Sequence, residues 1–255
     1  MSAASSVRPS SALLRVAVTV ASGLCVLAFP FALVGLNLRG VALNERFYLS
    51  EFARYRIGAQ TGLSDDELRR VADAFIAYFQ GSPGRMNVQI ARGGALQPLF
   101  NERELAHMED VQVLMQGILR LQDLALANVV AYGLAGVVLG RYRFLPLAAR
   151  VLLLGGGLTL ALFVVLGALA LTDFSALFLQ FHLVSFANDL WLLDPTRDYL
   201  IRLFPQPFFQ DAALQIAGRT VVQALGLTTA GLLALWLSRR RGATGAAQGA
   251  TSLPP

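Results

Sequence analysis

Four long runs of apolar residues, each with almost no charge inside it, recur along this chain. A helix needs roughly 20 apolar residues to cross the hydrocarbon core of a bilayer, so each run is long enough for one span. Backbone polar groups inside hydrocarbon need partners within their own segment, which favours α-helices. The predicted spans are residues 13–36, 121–140, 151–171 and 217–237.

The arginines outside these runs predict how the spans are oriented. The chain has 255 residues and a net charge of +5, and all 21 of its basic residues are arginine. Basic residues that flank spans are enriched in the cytoplasm. We therefore expect segments 1–12, 141–150 and 238–255 to be cytoplasmic, and segments 37–120 and 172–216 to lie outside the cytoplasm. The deciding positions are Arg8, Arg15, Arg141, Arg143, Arg150, Arg239, Arg240 and Arg241.

The segment 37–120 carries secondary-structure signals of its own. A Ser/Asn-x-x-Glu pattern at 64–67 and again at 101–104 is typical of a capped helix start. Alternating residues on both sides of 93–94, a Gly-Gly pair, predict a short hairpin. The predicted fold class is therefore a mainly α integral membrane protein, with four transmembrane helices and a small extracytoplasmic α/β cap.

Several other segments carry simpler expectations. The run 13–36 is too long for a signal-peptide core and is predicted to be an anchor helix. It contains the single cysteine, Cys25, which excludes an intrachain disulfide and is expected to be a small apolar filler. The stretch FPQPFF, 204–209, is expected to lie along the headgroups as a proline-broken aromatic segment. The tail 238–255 is predicted to be disordered.

The chain has two histidines, His107 and His182, and both fall in segments predicted to lie outside the cytoplasm. His182 lies among phenylalanines in FLQFHLVSFANDLWLLDP, 178–195, on a helix predicted to begin after Asp173. Three interpretations stay open for it: an interfacial structural histidine, a metal ligand, or an acid–base catalyst. A partly desolvated imidazole would be neutral near pH 7 and ready to accept a proton.

His107 is expected on the solvated face of an amphipathic helix, with Glu104 and Asp110 on adjoining turns of the same face. If residues 102–140 formed one straight helix, His107 would stand roughly 20 Å above the start of the span. The two histidines would then not meet. A helix break at Gly117 would bring them nearer.

Missing motifs exclude several kinds of chemistry. Without lysine, the chain cannot use a Schiff base or a Ser–Lys dyad. It contains no G-x-S-x-G motif, no phosphate-binding loop and no dinucleotide-binding fingerprint. No close histidine pair of the HExxH type is present, so we expect no metal and no cofactor. The spans carry almost no ionisable residues, which favours a site at the outer membrane surface over a transport path.

Three stretches of the sequence resemble the lipoprotein intramolecular transacylases (Lit), a family of four-span bacterial membrane proteins. They are RFYLSEFARY (46–55), LFNERELAHMEDVQVL (99–114) and FHLVSFANDLWLLDPTRDYLIRLFPQPFF (181–209). The resemblance implies a plasma-membrane acyltransferase whose substrate is the diacylated N-terminus of a lipoprotein. The sn-2 acyl chain of the diacylglyceryl-cysteine moves to that cysteine's α-amino group. The product is an N-acyl S-monoacylglyceryl (lyso-form) lipoprotein.

The resemblance also implies roles for individual residues. The substrate amine is the nucleophile, so no serine or cysteine nucleophile is needed. We expect His182 to be the base and His107 the acid or electrostatic helper, although the two roles could be exchanged. Asp110 and Asp189 are candidates to orient the imidazoles.

Three further residues complete the predicted site. Asn188 and Trp191 are candidates to donate hydrogen bonds to the ester or the oxyanion. Arg202 is expected either to pair with Asp198 or to hold polar headgroup atoms. Two other classes stay open at this point: a non-catalytic membrane scaffold or sensor, and a metal-dependent membrane hydrolase. Membrane lipids are expected partners, and nucleic acid is not.

Overall fold

The computed structural model of the chain describes residues 11–82, 84, 86–140 and 144–250. Within these ranges, four helices are long and apolar enough to cross a membrane, and each of the four predicted runs falls on one of them. They are Ala12–Ala42, Glu102–Leu139, Leu145–Leu169 and Gln206–Arg240. The prediction of a mainly α membrane protein with four membrane-spanning helices is therefore confirmed.

The helices and strands follow one another in a simple order. They are α1 (Ser11–Ala42), α2 (Glu45–Arg54), α3 (Ile57–Thr61), α4 (Asp65–Phe79), β1 (Gln89–Arg92), β2 (Ala95–Pro98), α5 (Glu102–Ala135, continued by a π-helical turn over Gly136–Gly140), α6 (Leu145–Thr172), α7 (Phe174–Ser185), α8 (Tyr199–Leu203) and α9 (Gln206–Ala250). Helix α9 thus continues into the tail for which the sequence predicted disorder, where alanine, the strongest helix former, is frequent. Arg8, Arg141, Arg143 and residues 251–255 lie outside the described residues.

The helix starts and the hairpin form where the sequence signals lie. The Ser64 side chain accepts a hydrogen bond from the N–H of Glu67, whose carboxylate accepts one from the N–H of Ser64, which is a complete capping box. At the start of α7, the Asp173 carboxylate accepts from the N–H of Ala176 at 3.0 Å. Strands β1 and β2 pair antiparallel around Gly93 and Gly94, both with positive φ, which glycine adopts without steric cost.

The chain forms two compact units. One comprises the described residues of Met1–Leu33, Asp123–Leu162 and Val221–Pro255, and the other comprises Val34–Gln122 and Phe163–Thr220. Every residue of the predicted site belongs to the second unit.

In the first unit, glycines of the Gly-Gly-Gly run at 155–157 permit close helix packing. A Cβ atom added to Gly155 would lie 2.3 Å from Cδ2 of Phe29, and one added to Gly156 would lie 2.4 Å from Oγ1 of Thr228. Any larger residue at these two positions would push the helices apart. Small residues at helix contacts are how membrane helices approach closely.

In the second unit, an aromatic core draws on both segments that were expected to lie outside the cytoplasm. Helices α2 and α4, the hairpin, the start of α5, α8 and the start of α9 all contribute buried apolar side chains. The largest of these are Phe47, Tyr48, Phe52, Phe75, Tyr78, Phe79, Phe100, Phe204 and Phe208. Because residues from 172–216 complete this core, the segment 37–120 does not bury it alone.

The stretch FPQPFF, which was expected to lie along the headgroups as a proline-broken segment, breaks the helical structure only at Phe204 and Pro205, between α8 and α9. Residues from Gln206 onward form the first turn of α9 instead of an irregular surface segment. Pro207 fits there because the first N–H groups of a helix have no partner within the helix. Phe208 is buried in the aromatic core, with its ring 5.2 Å from that of Phe47 and 5.0 Å from that of Phe204.

Candidate active site

The two histidines lie side by side. Their ring centroids are 6.4 Å apart, with an angle of 29° between the ring planes. Helix α5 runs through Gly117 without a break, so the expectation that a continuous helix would keep the histidines apart is wrong. The chain that follows α7 is bonded to the first turns of α5, and this brings His182 to the level of His107.

His107 is buried, with 7% of its surface exposed, and does not lie on a solvated face as the sequence suggested. The ring of Phe186 packs edge-on against it, with the centroids 5.1 Å apart. Its Nδ1 atom is buried and has no hydrogen-bond partner among the described residues. Burial favours the neutral form of this imidazole, since an ionised ring would lose its hydration.

His182 is half-buried and has a defined tautomer. Its Nδ1 lies 2.8 Å from the carbonyl oxygen of Phe178, one turn earlier in α7. A carbonyl oxygen only accepts hydrogen bonds, so Nδ1 carries the proton and donates it. The lone pair of Nε2 is then free to accept a proton. The rings of Phe178 and Trp191 flank the imidazole, at 4.5 Å and 5.0 Å between centroids.

Residues 186–200, which we call the connecting loop, include the first two residues of α8. This loop is hydrogen-bonded to α5 at residues before and after His107. The Asn188 amide donates to Asp110 at 2.8 Å, one turn after His107. One turn before His107, the Glu104 carboxylate accepts from the N–H of Leu200 at 2.6 Å. These bonds join residues 78 and 96 positions apart in sequence.

Both carboxylates that were predicted to orient the imidazoles, Asp110 and Asp189, have other partners. Asp110 accepts from Asn188. The exposed carboxylate of Asp189 lies 3.9 Å from the guanidinium of Arg103, which also donates to the backbone oxygen of Asp189. The role of orienting the His182 ring falls instead to the Phe178 carbonyl.

The other predicted site residues are also engaged. The indole N–H of Trp191 donates to the backbone oxygen of Asn188 at 2.9 Å, so Trp191 contributes its ring to His182. Arg202 donates to the backbone oxygen of Gln60, and its guanidinium lies 4.9 Å from the centre of the Tyr199 ring.

Two buried carboxylates that sequence reasoning did not include in the site organise the connecting loop. Glu104 also accepts from the N–H of Asn101 at 2.8 Å, as its capping pattern indicated, but nothing in the sequence signalled its bond to Leu200. Asp198 is fully buried and accepts from the Asn101 amide at 2.8 Å and the Asp194 N–H at 2.7 Å. It also forms an ion pair with Arg197 at 3.2 Å.

The connecting loop has one further ordered turn. The hydroxyl and the N–H of Thr196 both donate to the Asp194 carboxylate, and they hold the pKa of this carboxyl below its usual value.

In the part of the chain that the structure describes, no three histidine, cysteine or acidic side chains are arranged to hold a metal ion.

Comparisons with known proteins single out one family. The family model described as lipoprotein intramolecular transacylase Lit matches residues 23–209. The solved structure of the membrane-integral lipoprotein intramolecular transacylase Lit from Bacillus cereus has a TM-score of 0.71 and 18% identity, over 88% of this chain and 98% of that chain. A variant of the Bacillus cereus protein with a histidine-to-alanine substitution has a TM-score of 0.70 and 19% identity, over 91% and 100%.

A relative by sequence is an uncharacterized protein of Aquifex aeolicus (strain VF5). It is 28% identical over 193 residues, which are 75% of this chain and 84% of the relative.

Proposed function

Because the chain belongs to the Lit family of lipoprotein intramolecular transacylases, we propose that it moves the sn-2 acyl chain of a diacylglyceryl-cysteine to the α-amino group of the same cysteine. A bond forms between the amine nitrogen and the acyl carbon, and the bond from that carbon to the glyceryl oxygen breaks. The amine loses a proton and the glyceryl oxygen gains one. The observation that carries this proposal is the juxtaposition of the chain's two histidines.

His182 is the base in this proposal. An α-amino group has a reference pKa of about 7.7 to 8.0, so part of it is protonated at neutral pH and it must lose protons to react. The Nε2 lone pair of His182 is free to accept them, because the bond from Nδ1 to Phe178 fixes the tautomer. A positioned base of this kind typically contributes a factor of about 10² to 10⁴ in rate.

His107 is the hydrogen-bond donor to the oxyanion in this proposal, and the proton that His182 takes from the amine passes to the departing glyceryl oxygen. The buried Nδ1 of His107 has no hydrogen-bond partner among the described residues, and a substrate oxygen would supply one. A neutral imidazole can donate from one ring nitrogen without being charged. One donor to an oxyanion is worth about 2.7 to 4 kcal/mol in comparable sites.

The apolar surface of α7 suits a lipid substrate. This helix has 12 residues, about 18 Å at 1.5 Å per residue, which is too short to cross a bilayer. It begins directly after α6, one of the membrane-spanning helices. Four of its apolar side chains are exposed: Leu179, Phe181, Leu183 and Val184. We infer that they contact acyl chains of the outer leaflet of the bacterial plasma membrane, where the arginine distribution also predicts the site.

Substituting each histidine tests the proposal. The variants His107→Ala and His182→Ala would be expressed in a bacterium whose lipoproteins are diacylated, and lipoprotein N-termini would be analysed by mass spectrometry. We expect the N-acyl S-monoacylglyceryl form with the unchanged protein, and its loss with either variant. Val113→Ala is the matched control, because Val113 is an exposed residue on the same helix as His107. Normal product formation by both histidine variants would contradict the assignment.

A further inference from the structure

A groove beside the contact between α6 and α9, in the first unit, is lined by none of the residues of the candidate active site. The two helices pack closely at Gly231, where an added Cβ atom would lie 2.6 Å from the backbone oxygen of Ala149. Next to this contact is a groove of about 520 Å³. The side chains that line it are Leu153, Leu232, Leu233, Leu235, Trp236 and Arg239.

The apolar part of the groove matches a lipid acyl chain. Both helices are long and apolar enough to cross a membrane. Leu232 and Leu233 are more than half exposed, and Trp236 is 48% exposed. In a bilayer these surfaces meet hydrocarbon, so a groove between them takes up a flexible chain. Tryptophan is enriched at the boundary between hydrocarbon and headgroups. We therefore expect the end of the groove at Trp236 to lie at this boundary.

Basic residues gather at that end. Arg239 lines the groove itself, and the guanidinium of Arg240 lies 3.8 Å from the centre of the Trp236 ring. A guanidinium over an indole is held by cation–π attraction, which fixes a positive charge beside Trp236. Among the residues that the structure describes, no acidic side chain lines the groove.

We propose that this groove binds an anionic glycerophospholipid, with one acyl chain along the leucines and the headgroup phosphate against Arg239 and Arg240. Basic pockets between membrane helices at the cytoplasmic side are suited to anionic headgroups. A zwitterionic lipid has the same phosphate, but its cationic amine would also lie near the arginines. Each arginine near the headgroups adds roughly a fivefold preference for an anionic lipid. The groove shares no lining residue with the histidine pair, so the proposal does not depend on the acyl-transfer reaction.

Native mass spectrometry of the purified full-length protein tests the site. Micelles would contain equal amounts of phosphatidylglycerol and phosphatidylcholine with the same acyl chains. We expect at least one phosphatidylglycerol to stay bound in preference to phosphatidylcholine. Arg239→Gln should lower that preference roughly fivefold. The matched control is Arg15→Gln, which removes the same charge from an exposed position on α1, outside the groove lining.

A photoreactive phosphatidylglycerol locates the bound lipid. Under the proposal, it labels the peptide of α9 that contains Trp236, and Arg239→Gln reduces that labelling. Equal retention of the two lipids by the unchanged protein would overturn the proposal. So would an equal loss of preference in Arg15→Gln and Arg239→Gln, because general surface charge would then explain the binding. Unchanged melting temperatures of both variants in micelles are the control for folding.

Discussion

The two histidines of the candidate site lie in contrasting surroundings. His107 is buried at the start of α5, next to Met108, which belongs to the aromatic core of the second unit. His182 lies on α7, a helix with no buried residue. The first imidazole is held by a packed framework, whereas the second is presented on an apolar surface. Such a division suits a reaction in which a lipid must reach one side of the site while the other side stays fixed.

The attachments of the two helices differ as much as their burial. α5 is bonded to the connecting loop through Glu104 and Asp110. The attachments of α7 include the hydrogen bond between Gln206 and Ser175, at 2.7 Å, and the packing of Phe178 on Phe209, with ring centroids 5.1 Å apart. Because α7 exposes apolar side chains, we expect membrane lipid to contribute to the surroundings of His182 and not to those of the buried His107.

Replacing each histidine with alanine should have the largest effect and should also separate the two surroundings. Under the proposed mechanism, both variants lower the rate of N-acylation at least about 100-fold, because each removes an acid–base or oxyanion group. His107→Ala should also lower the melting temperature in micelles, since it leaves a cavity in a packed region. His182→Ala should leave the melting temperature nearly unchanged. Rates would come from mass spectra of a diacylated lipopeptide substrate, and equal melting temperatures would contradict the comparison.

Replacing the buried carboxylate of Glu104 should have the second-largest effect. It should lower the stability of the packed region around His107. Glu104→Gln turns one acceptor oxygen into an amide donor that faces the N–H of Asn101 or Leu200. Leaving such a buried group unsatisfied costs about 1 to 3 kcal/mol. The melting temperature should fall, and the rate should fall with it if the connecting loop shifts. Asp73→Asn, at an exposed position on α4, is the matched control and should stay within about 0.5 kcal/mol.

Replacing the donor of the hydrogen bond between Asn188 and Asp110 should have an intermediate effect on the rate. Asn188→Asp places a second carboxylate beside Asp110, and their repulsion should lower the rate roughly tenfold at neutral pH. The loss should shrink as pH falls, because one proton added to the carboxylate pair removes the repulsion. The double variant D110N/N188D restores a donor and an acceptor in swapped positions. Its rate should exceed that of N188D alone, and a double variant as slow as N188D would show that the bond has no role.

Changing the exposed surface of α7 should have the smallest effect. Val184 is 86% exposed, and Val184→Asp would bring a charge to a surface that is expected to touch acyl chains. We expect kcat/KM for a lipopeptide in vesicles to fall severalfold, with the melting temperature in micelles unchanged. Val113→Asp, at an exposed site on the same helix as His107, is the control. A larger loss from Val113→Asp would place the lipid-contacting surface on α5 instead of α7.

Local signals in the sequence account for most of the secondary structure. Helices begin at Ser64 and Asp173 because side chains a few residues apart satisfy the first N–H groups, and such contacts can be read from spacing alone. The proline-containing start of α9 was missed, since Pro207 is tolerated only in the first helical turn and the sequence does not say which turn that is. The burial of Phe208 against α2 decides it.

Composition and spacing determined the four spans, the capped helices, the hairpin and the two histidines as the candidate chemistry. Only the tertiary structure decided that His107 is buried and that it lies beside His182 although α5 is unbroken. It also decided that Glu104 and Asp198 hold the connecting loop in place. The physical reason is distance along the chain. Spans and caps depend on neighbours within a few turns, whereas the site depends on bonds between residues 78 to 97 positions apart, which no local pattern encodes.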